Sequence, residues 1–152
     1  MRVLLQRVIR ASVEVEGKII SSIDRGILLF VGVTHNDDRD ISDHLAKKCA
    51  QLRIFEDENQ KQHQHSTLDL DLEALVVSQF TLYGNTNKGR RPGFDQSAHP
   101  EKAEVLYQAF IESLKYTGVR CSSGQFSVEM KVHLINDGPV TYLLEKERKE
   151  DF

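Results

Sequence analysis

The amino-acid pattern predicts an α/β fold: a mostly antiparallel sheet, arranged as an α/β sandwich or a barrel, with two helices packed outside it. Three observations carry this expectation. The first third of the chain shows alternating apolar residues broken by turn residues. Two helical stretches lie far apart, one bearing Ile41, Leu45, Cys49 and Leu52, the other Ala103, Leu106, Tyr107, Phe110 and Leu114. The strand-like runs come in hairpin-like groups rather than in regular alternation with helices, which argues against a doubly wound parallel sheet. The 152 residues fit one domain, expected over 1–152, with a charged, frayed tail over about 145–152.

The elements follow in order. Ala11, Val13 and Val15 alternate with Ser12, Glu14 and Glu16, the mark of a half-buried strand. Glu16-Gly17-Lys18 turns the chain into Ile19–Ile23, and Asp24-Arg25-Gly26 turns it again, so an antiparallel meander is expected. Ile27–Val31 is continuously apolar, so both faces of that strand should be covered. Asn36, Asp37 or Asp38 can cap the first helix through a side-chain oxygen. Arg53-Ile54-Phe55 reads as a short strand, and residues 61–72 as loop or edge. Glu73–Leu82 reads as a central strand, followed by a loop from Gly84 to Phe94. Pro100 suits the first turn of the second helix, where a missing N–H costs nothing, and Gly118 ends it. Met130, Val132 and Leu134 alternate with polar neighbours, Asn136-Asp137-Gly138-Pro139 breaks the pattern, and Val140–Leu144 resumes it. The expected total is about seven strands.

Composition narrows the functional classes. Hydrophobic residues make up 39% and charged residues 28%, ordinary for a globular protein. The longest apolar run is five residues, too short for a membrane helix, and early charges at Arg2 and Arg7 argue against a signal peptide. A cytoplasmic protein with reduced Cys49 and Cys121 is expected. The net charge of −3 argues against broad electrostatic binding to nucleic acid, and no DNA or membrane partner is expected. Local basic clusters occur at Lys88-Gly89-Arg90-Arg91 and along Arg2, Arg7 and Arg10, with a solvated surface as the plain reading. No G-x-S-x-G, P-loop or G-x-G-x-x-G is present. His63 and His65 lack further ligands at usable spacing, so no metal or cofactor is expected.

Two segments remain unexplained by packing. Ser78-Gln79-Phe80-Thr81 places polar side chains inside an apolar strand, where they need partners. It reads either as a satisfied barrel edge or as a pocket lip with a backbone N–H facing a developing oxyanion. A Thr81 nucleophile would need a base, and none is near in sequence. In Asn136–Thr141, Pro139 belongs at an edge or bulge, and Gly138 frees the backbone before it; from the residues alone an ordinary hairpin turn is the first reading, with a cis Gly138-Pro139 bond as the alternative.

Together the segments resemble the paired signature motifs of the D-aminoacyl-tRNA deacylase family. The resemblance spans nearly the whole chain. It includes Met1-Arg2-Val3, Gln6-Arg7-Val8, Phe55-Glu56-Asp57-Glu58, Leu75–Leu82, Lys88-Gly89-Arg90-Arg91-Pro92, Ala103, Leu106-Tyr107, Gly124, Phe126, Met130 and Asn136–Thr141. It implies a deacylase-like, closed barrel-like homodimer that hydrolyses the ester of D-aminoacyl-tRNA, with the tRNA acceptor end as partner. By the resemblance, Ser78, Gln79 and Phe80 line the pocket, with the Phe80 N–H as oxyanion donor and the substrate ribose 2′-OH assisting water. Thr81 is a catalytic candidate of open role. Gly138 and Pro139 form a Gly-cisPro chirality filter that enters the other subunit's pocket. Phe126, Met130 and Asn136 are substrate-binding candidates, and glycyl-tRNA mischarged on tRNA(Ala) is a further implied substrate. Ser127-Val128 stands where Gly-Ala is common, which alters the pocket wall; Asp24 and His63 stand where glycine and asparagine are common. The alternative is a non-catalytic RNA-binding module resting on Lys88, Arg90 and Arg91.

Overall fold

The computed structural model describes residues 1–148. The described elements run β1 (Arg2–Val15), β2 (Lys18–Ile23), β3 (Gly26–Gly32), α1 (Arg39–Gln51), β4 (Glu73–Ser78), a 3-10 helix (Phe80–Tyr83), α2 (Pro100–Tyr116), β5 (Arg120–Ser123) and β6 (Lys131–Glu145). The strands form one sheet in the order β2-β1-β3-β4-β5, with β6 added on β1, and the sheet is nearly closed and barrel-like. Strand β1 is long enough to pair with β3 through Arg2–Val8, with β2 through Ala11–Val15, and with β6 along most of its length.

The sheet is mixed: its antiparallel pairs, all made by β1, predominate as expected, but not every pair is antiparallel. Strands β3 and β4 pair in parallel, as do β4 and β5. Parallel neighbours need a long crossover, usually helical. Helix α1 lies in the connection between β3 and β4, and α2 in that between β4 and β5. The wide separation of the helices therefore marks two crossovers, where the sequence pattern suggested hairpins. The expected meander is also modified, because β2 and β3 both pair with β1.

Burial follows the apolar pattern. Ile27, Leu29 and Val31 face the helices with Val3, Leu5, Ala74 and Val76. Leu28 packs on the opposite face with Val8, Val13, Leu75 and Val77. Strand β3 is thus covered on both sides, as its unbroken apolar run predicts. Each fully buried Val, Leu, Ile or Phe contributes about 1.5–3 kcal/mol relative to an exposed one. Asp38 caps α1 by accepting from the Ile41 N–H at 3.0 Å, and α1 buries Ile41, Leu45 and Cys49 toward α2. Leu52 is the C-cap residue and packs, half-buried, against the same core. Pro100 occupies the first turn of α2, and Gly118 follows its end with φ +107°.

Four expected strands differ. Arg53–Phe55 is reduced to a single bridge between Phe55 and His65. The strand from Glu73 ends at Ser78, and Phe80–Tyr83 coils into the 3-10 helix. The two C-terminal strands merge into β6, whose register against β1 shifts twice between Gln6 and Arg10. The start of the expected frayed tail is engaged: the Lys146 N–H donates to the Met1 carbonyl at 3.1 Å, and Arg148 lies 3.5 Å from Asp38. Residues 149–152 of that tail lie outside the described residues. No helix among the described residues is long and apolar enough to cross a membrane.

Candidate active site

The site begins where β4 leaves the sheet. The Gln79 N–H still donates to the Val31 carbonyl at 2.8 Å, in the manner of the ladder. At φ −146° and ψ 84°, Gln79 then bends the chain into the 3-10 helix. Gly32, at the end of β3, makes room for that bend. A Cβ there would meet Leu82 Cβ at 2.9 Å and the Gln79 carbonyl at 3.0 Å. The absence of a side chain at Gly32 thus lets the polar turn settle over the sheet's end.

The turn floors a cavity of about 590 Å³, within the size range of small-molecule sites. Ser78, Gln79 and Phe80 line one side, and Phe126, Ser127, Val128 and Met130 line another. Helix α2 and the residues before it contribute Ser97, His99, Ala103 and Tyr107, and Phe94 closes the rim. Phe80 is 57% exposed and meets Phe94 edge to face, with ring centroids 5.1 Å apart. The Ser97 hydroxyl donates to the Phe80 carbonyl at 3.1 Å, tying the rim to the floor. The buried Tyr107 hydroxyl donates to the Val76 carbonyl at 3.0 Å, fixing α2 to β4 just before the turn. Burial pushes the Tyr107 phenol up to about 12.

Seven of the residues singled out in the sequence as pocket residues meet in this cavity: Ser78, Gln79, Phe80, Phe126, Ser127, Val128 and Met130. Phe80 opens the 3-10 helix, so its N–H has no acceptor within that helix. Thr81 is exposed beside the cavity, and its hydroxyl accepts from the Gln79 side-chain amide at 2.5 Å. An amide is not a base, so this partner does not activate Thr81 as a nucleophile. Ser127 takes φ +61°, a left-handed conformation in a non-glycine residue.

Asn136, Gly138 and Pro139 do not line that cavity. Asn136 braces its own segment instead: its side-chain oxygen accepts from the Val140 N–H at 3.0 Å, and its amide donates to Thr141 at 2.9 Å. The Gly138-Pro139 peptide bond is cis, and both residues are exposed. Arg7 supports the segment from below. Its guanidinium donates to the Asp137 carbonyl at 3.1 Å, the Ile54 carbonyl at 2.7 Å and Gln62 at 3.2 Å. Arg7 is 7% exposed, so the solvated-surface reading of that basic residue is wrong; its charge is spent on internal carbonyls and on the Asp137 carboxylate at 3.5 Å. Arg2 is likewise engaged, with Glu145 at 2.7 Å and over the Tyr83 ring. His63 bonds the Tyr142 hydroxyl at 3.1 Å, while His65 pairs with Phe55 through backbone. Cys49 and Cys121 are free thiols.

Sequence reasoning missed Phe94, Ser97, His99 and Tyr107 as cavity residues. For His99 a signal existed: Pro100 fixes the helix start, so residue 99 must sit at its mouth. Tyr107 read only as helix core, and Phe94 and Ser97 lie in a loop without periodicity.

An apolar cavity with a polar floor, set at the end of a nearly closed mixed sheet and bordered by α2, defines an α/β protein with a site of small-molecule size. The comparisons carry this to a family. The model for D-Tyr-tRNA(Tyr) deacylase matches residues 4–145. D-aminoacyl-tRNA deacylase of Koribacter versatilis is 49% identical over 149 residues, covering 98% of this chain and 99% of that protein. The protein of that name from Thermomicrobium roseum is 54% identical over 145 residues, covering 95% and 94%. Among solved structures, c-Myc DNA Unwinding Element Binding Protein superposes with TM-score 0.92 at 42% identity, covering 97% of this chain and 100% of that one. A probable eukaryotic D-amino acid tRNA deacylase shares the fold, with TM-score 0.83 at 19% identity over 94% of this chain and 97% of that one. The chain belongs to the D-Tyr-tRNA(Tyr) deacylase family.

Proposed function

We propose that this chain hydrolyses the ester of D-aminoacyl-tRNA to free D-amino acid and tRNA, in the cytoplasm. The observation that carries the reading is the cavity floored by Ser78, Gln79 and Phe80 in a chain that matches the family from residue 4 to 145. The Phe80 N–H stabilises the developing oxyanion, since a donor aimed at that charge is a strong catalytic device. The Gln79–Thr81 hydrogen bond gives Thr81 a positioning role on the floor. Phe126 and Met130 supply the wall against which the terminal nucleoside packs. Water is activated by the substrate's own 2′-OH, in keeping with a cavity lining that, among the described residues, has His99 as its one imidazole and holds no carboxylate.

The finer reading concerns chirality. The protein acts as a homodimer, in which Gly138 and Pro139 of one subunit enter the cavity of the other. Their exposure, and their position away from the cavity of their own chain, support a partner across an interface. Ile9, Ile135, Tyr142 and Leu143 are exposed on β1 and β6 around them and supply an apolar border for that interface. Backbone carbonyls at 138 and 139 then orient the α-amino group of a D-amino acid and exclude the L form by clash. Glycine, which has no side chain to clash, is admitted as well, so glycyl-tRNA mischarged on tRNA(Ala) is a further substrate.

Deacylation of D-tyrosyl-tRNA against L-tyrosyl-tRNA tests the activity. Turnover of the D ester alone is expected, and its absence would sink the reading. A dimer by light scattering is expected, and a monomer removes the cross-subunit filter. A second reading, nucleic-acid binding without hydrolysis, draws on the basic residues Lys88, Arg90 and Arg91 and on the DNA-binding name of one structural relative. It predicts tight binding with no turnover of either ester.

A further inference from the structure

Between Gly84 and Pro100 the chain carries three cations, Lys88, Arg90 and Arg91, against one anion, Asp95. The chain as a whole is net negative, at −3. The three cations lie on a hairpin loop closed by the Asn85–Gly93 bridge, with Gly89 at φ +67° between Lys88 and Arg90. Asn85 and Gly93 exchange backbone hydrogen bonds of 2.7 and 2.9 Å, so the loop's base is fixed. All three cations are exposed, and none takes part in an ion pair among the described residues. By contrast, Arg2, Arg7, Arg39 and Arg120 are all engaged with carboxylates.

The base of this hairpin is the rim of the cavity. Gly84 ends the 3-10 helix that begins with Phe80, and it lies against the Phe94 ring, which lines the cavity. From the Asn85–Gly93 pair to Gly89 the loop extends at most roughly 13 Å, at about 3.3 Å per residue. Its charges therefore stand outside the cavity mouth, within reach of whatever is covalently attached to a ligand seated inside.

We propose that the Lys88–Arg91 hairpin is the docking surface for the phosphodiester backbone of the RNA whose 3′ end occupies the cavity. The proposal rests on the deacylase reading for what sits in the cavity. It adds a division of labour: the hairpin supplies RNA affinity through phosphate neutralisation, while the cavity supplies the chemistry. Arginine and lysine on an exposed loop bind phosphate without reading bases. Contacts of this kind release counterions, so they show as salt dependence: log affinity falls with log salt by about 0.7 per phosphate for single strands and about 0.9 for duplex.

The test is a triple variant, K88Q/R90Q/R91Q, compared with wild type and with the charge-keeping variant R90K/R91K. Binding of uncharged tRNA is measured by fluorescence anisotropy from 50 to 200 mM salt. The triple variant is expected to lower the salt slope by about 2 to 3. Over that fourfold salt range wild-type affinity should fall about fifteenfold or more beyond the fall of the variant. R90K/R91K should keep the wild-type slope, which a merely structural role for the arginines would not predict. In turnover, the loss should appear in KM for D-aminoacyl-tRNA with kcat retained. A D-aminoacyl ester of adenosine, which has no phosphate, should be cleaved equally by all three proteins. An unchanged slope overturns the proposal, as does an equal loss on the adenosine ester. An equal slope change with duplex DNA of matched length overturns the assignment to RNA. If no ester is cleaved but the tRNA slope still depends on the hairpin, the deacylase reading falls and the docking surface stands.

Discussion

The turn at Ser78–Tyr83 and the segment Asn136–Thr141 both place polar residues within strand-forming sequence, and the fold supports them in opposite ways. The first emerges from β4 between buried neighbours, rests over Gly32, and shapes a cavity within its own chain. The second lies exposed on β6, held by Asn136 from within and by the buried Arg7 from below. One is a floor that needs only its own subunit. The other is a projection whose backbone is presented outward. The difference teaches that Arg7 serves the projection as β4 serves the floor: it substitutes one buried guanidinium for the ladder hydrogen bonds that the register shifts of β6 give up.

The sharpest way to break this contrast is Arg7→Ala. The Ile54 and Asp137 carbonyls would lose a charged donor, and leaving such groups unpaired costs about 2–4 kcal/mol in total. A thermal melt should fall by roughly 6–12 °C. A change below 1 °C would mean that the segment stands without Arg7.

Gly138→Ala acts on the projection itself. Gly138 takes φ +132°, and a Cβ would meet Val140 Cγ2 at 2.7 Å and Val140 N at 3.0 Å. A non-glycine residue in such a region costs about 1–3 kcal/mol. The preference for D over L esters should fall about tenfold or more, equivalent to about 1.4 kcal/mol between the two transition states. Full discrimination by this variant would remove the filter from Gly138.

Tyr107→Phe probes the floor's support. Loss of the hydrogen bond to Val76 should lower stability at neutral pH by about 1 kcal/mol. The phenol sits at about 12 when folded and at 10 ordinarily, so the folded chain keeps a proton that the unfolded chain loses. Wild-type stability is therefore full below pH 10 and declines as pH rises from 10 toward 12. The variant should lack that part of the decline, and denaturant titrations at pH 9 and 11 would reveal parallel loss if Tyr107 were not its source. The Tyr83 phenol, also raised by burial, stays in both proteins and contributes equally.

Thr81→Ala should have the smallest effect. Its hydroxyl accepts one hydrogen bond from Gln79, and losing about 1 kcal/mol corresponds to at most about a fivefold drop in kcat. A thousandfold drop would instead make the hydroxyl a reacting group and overturn the positioning role.

Much of the fold was legible because local chemistry is enough to mark it. Asp38 caps α1, Pro100 starts α2 and the Ile27–Val31 run is covered on both faces, as side-chain oxygen, ring geometry and unbroken hydrophobicity predict. Strand pairing was not legible. Apolar periodicity sets which face a residue occupies, while direction depends on what connects two strands, so the parallel β3-β4 and β4-β5 pairs went unseen. The end of β4 at Ser78 escaped for a similar reason: Gln79 bends because Gly32 admits the turn from a distant strand. Of the candidate site, Ser78, Gln79, Phe80, Phe126 and Met130 were legible, whereas Phe94 and Ser97 reach the cavity from a loop with no pattern.

The sequence by itself determined the helices, the buried faces, the two polar interruptions and the family, since each depends on residues close together along the chain or on their order. Tertiary structure decided the rest. It made Arg7 an internal brace instead of a surface charge, because the Ile54 and Asp137 carbonyls converge on it from separate segments. It placed the Lys88–Arg91 hairpin at the rim of the cavity, because Gly84 and Phe94 meet there. It also left Gly138 and Pro139 out of the cavity of their own chain, because β6 runs along β1 and carries them to an exposed surface.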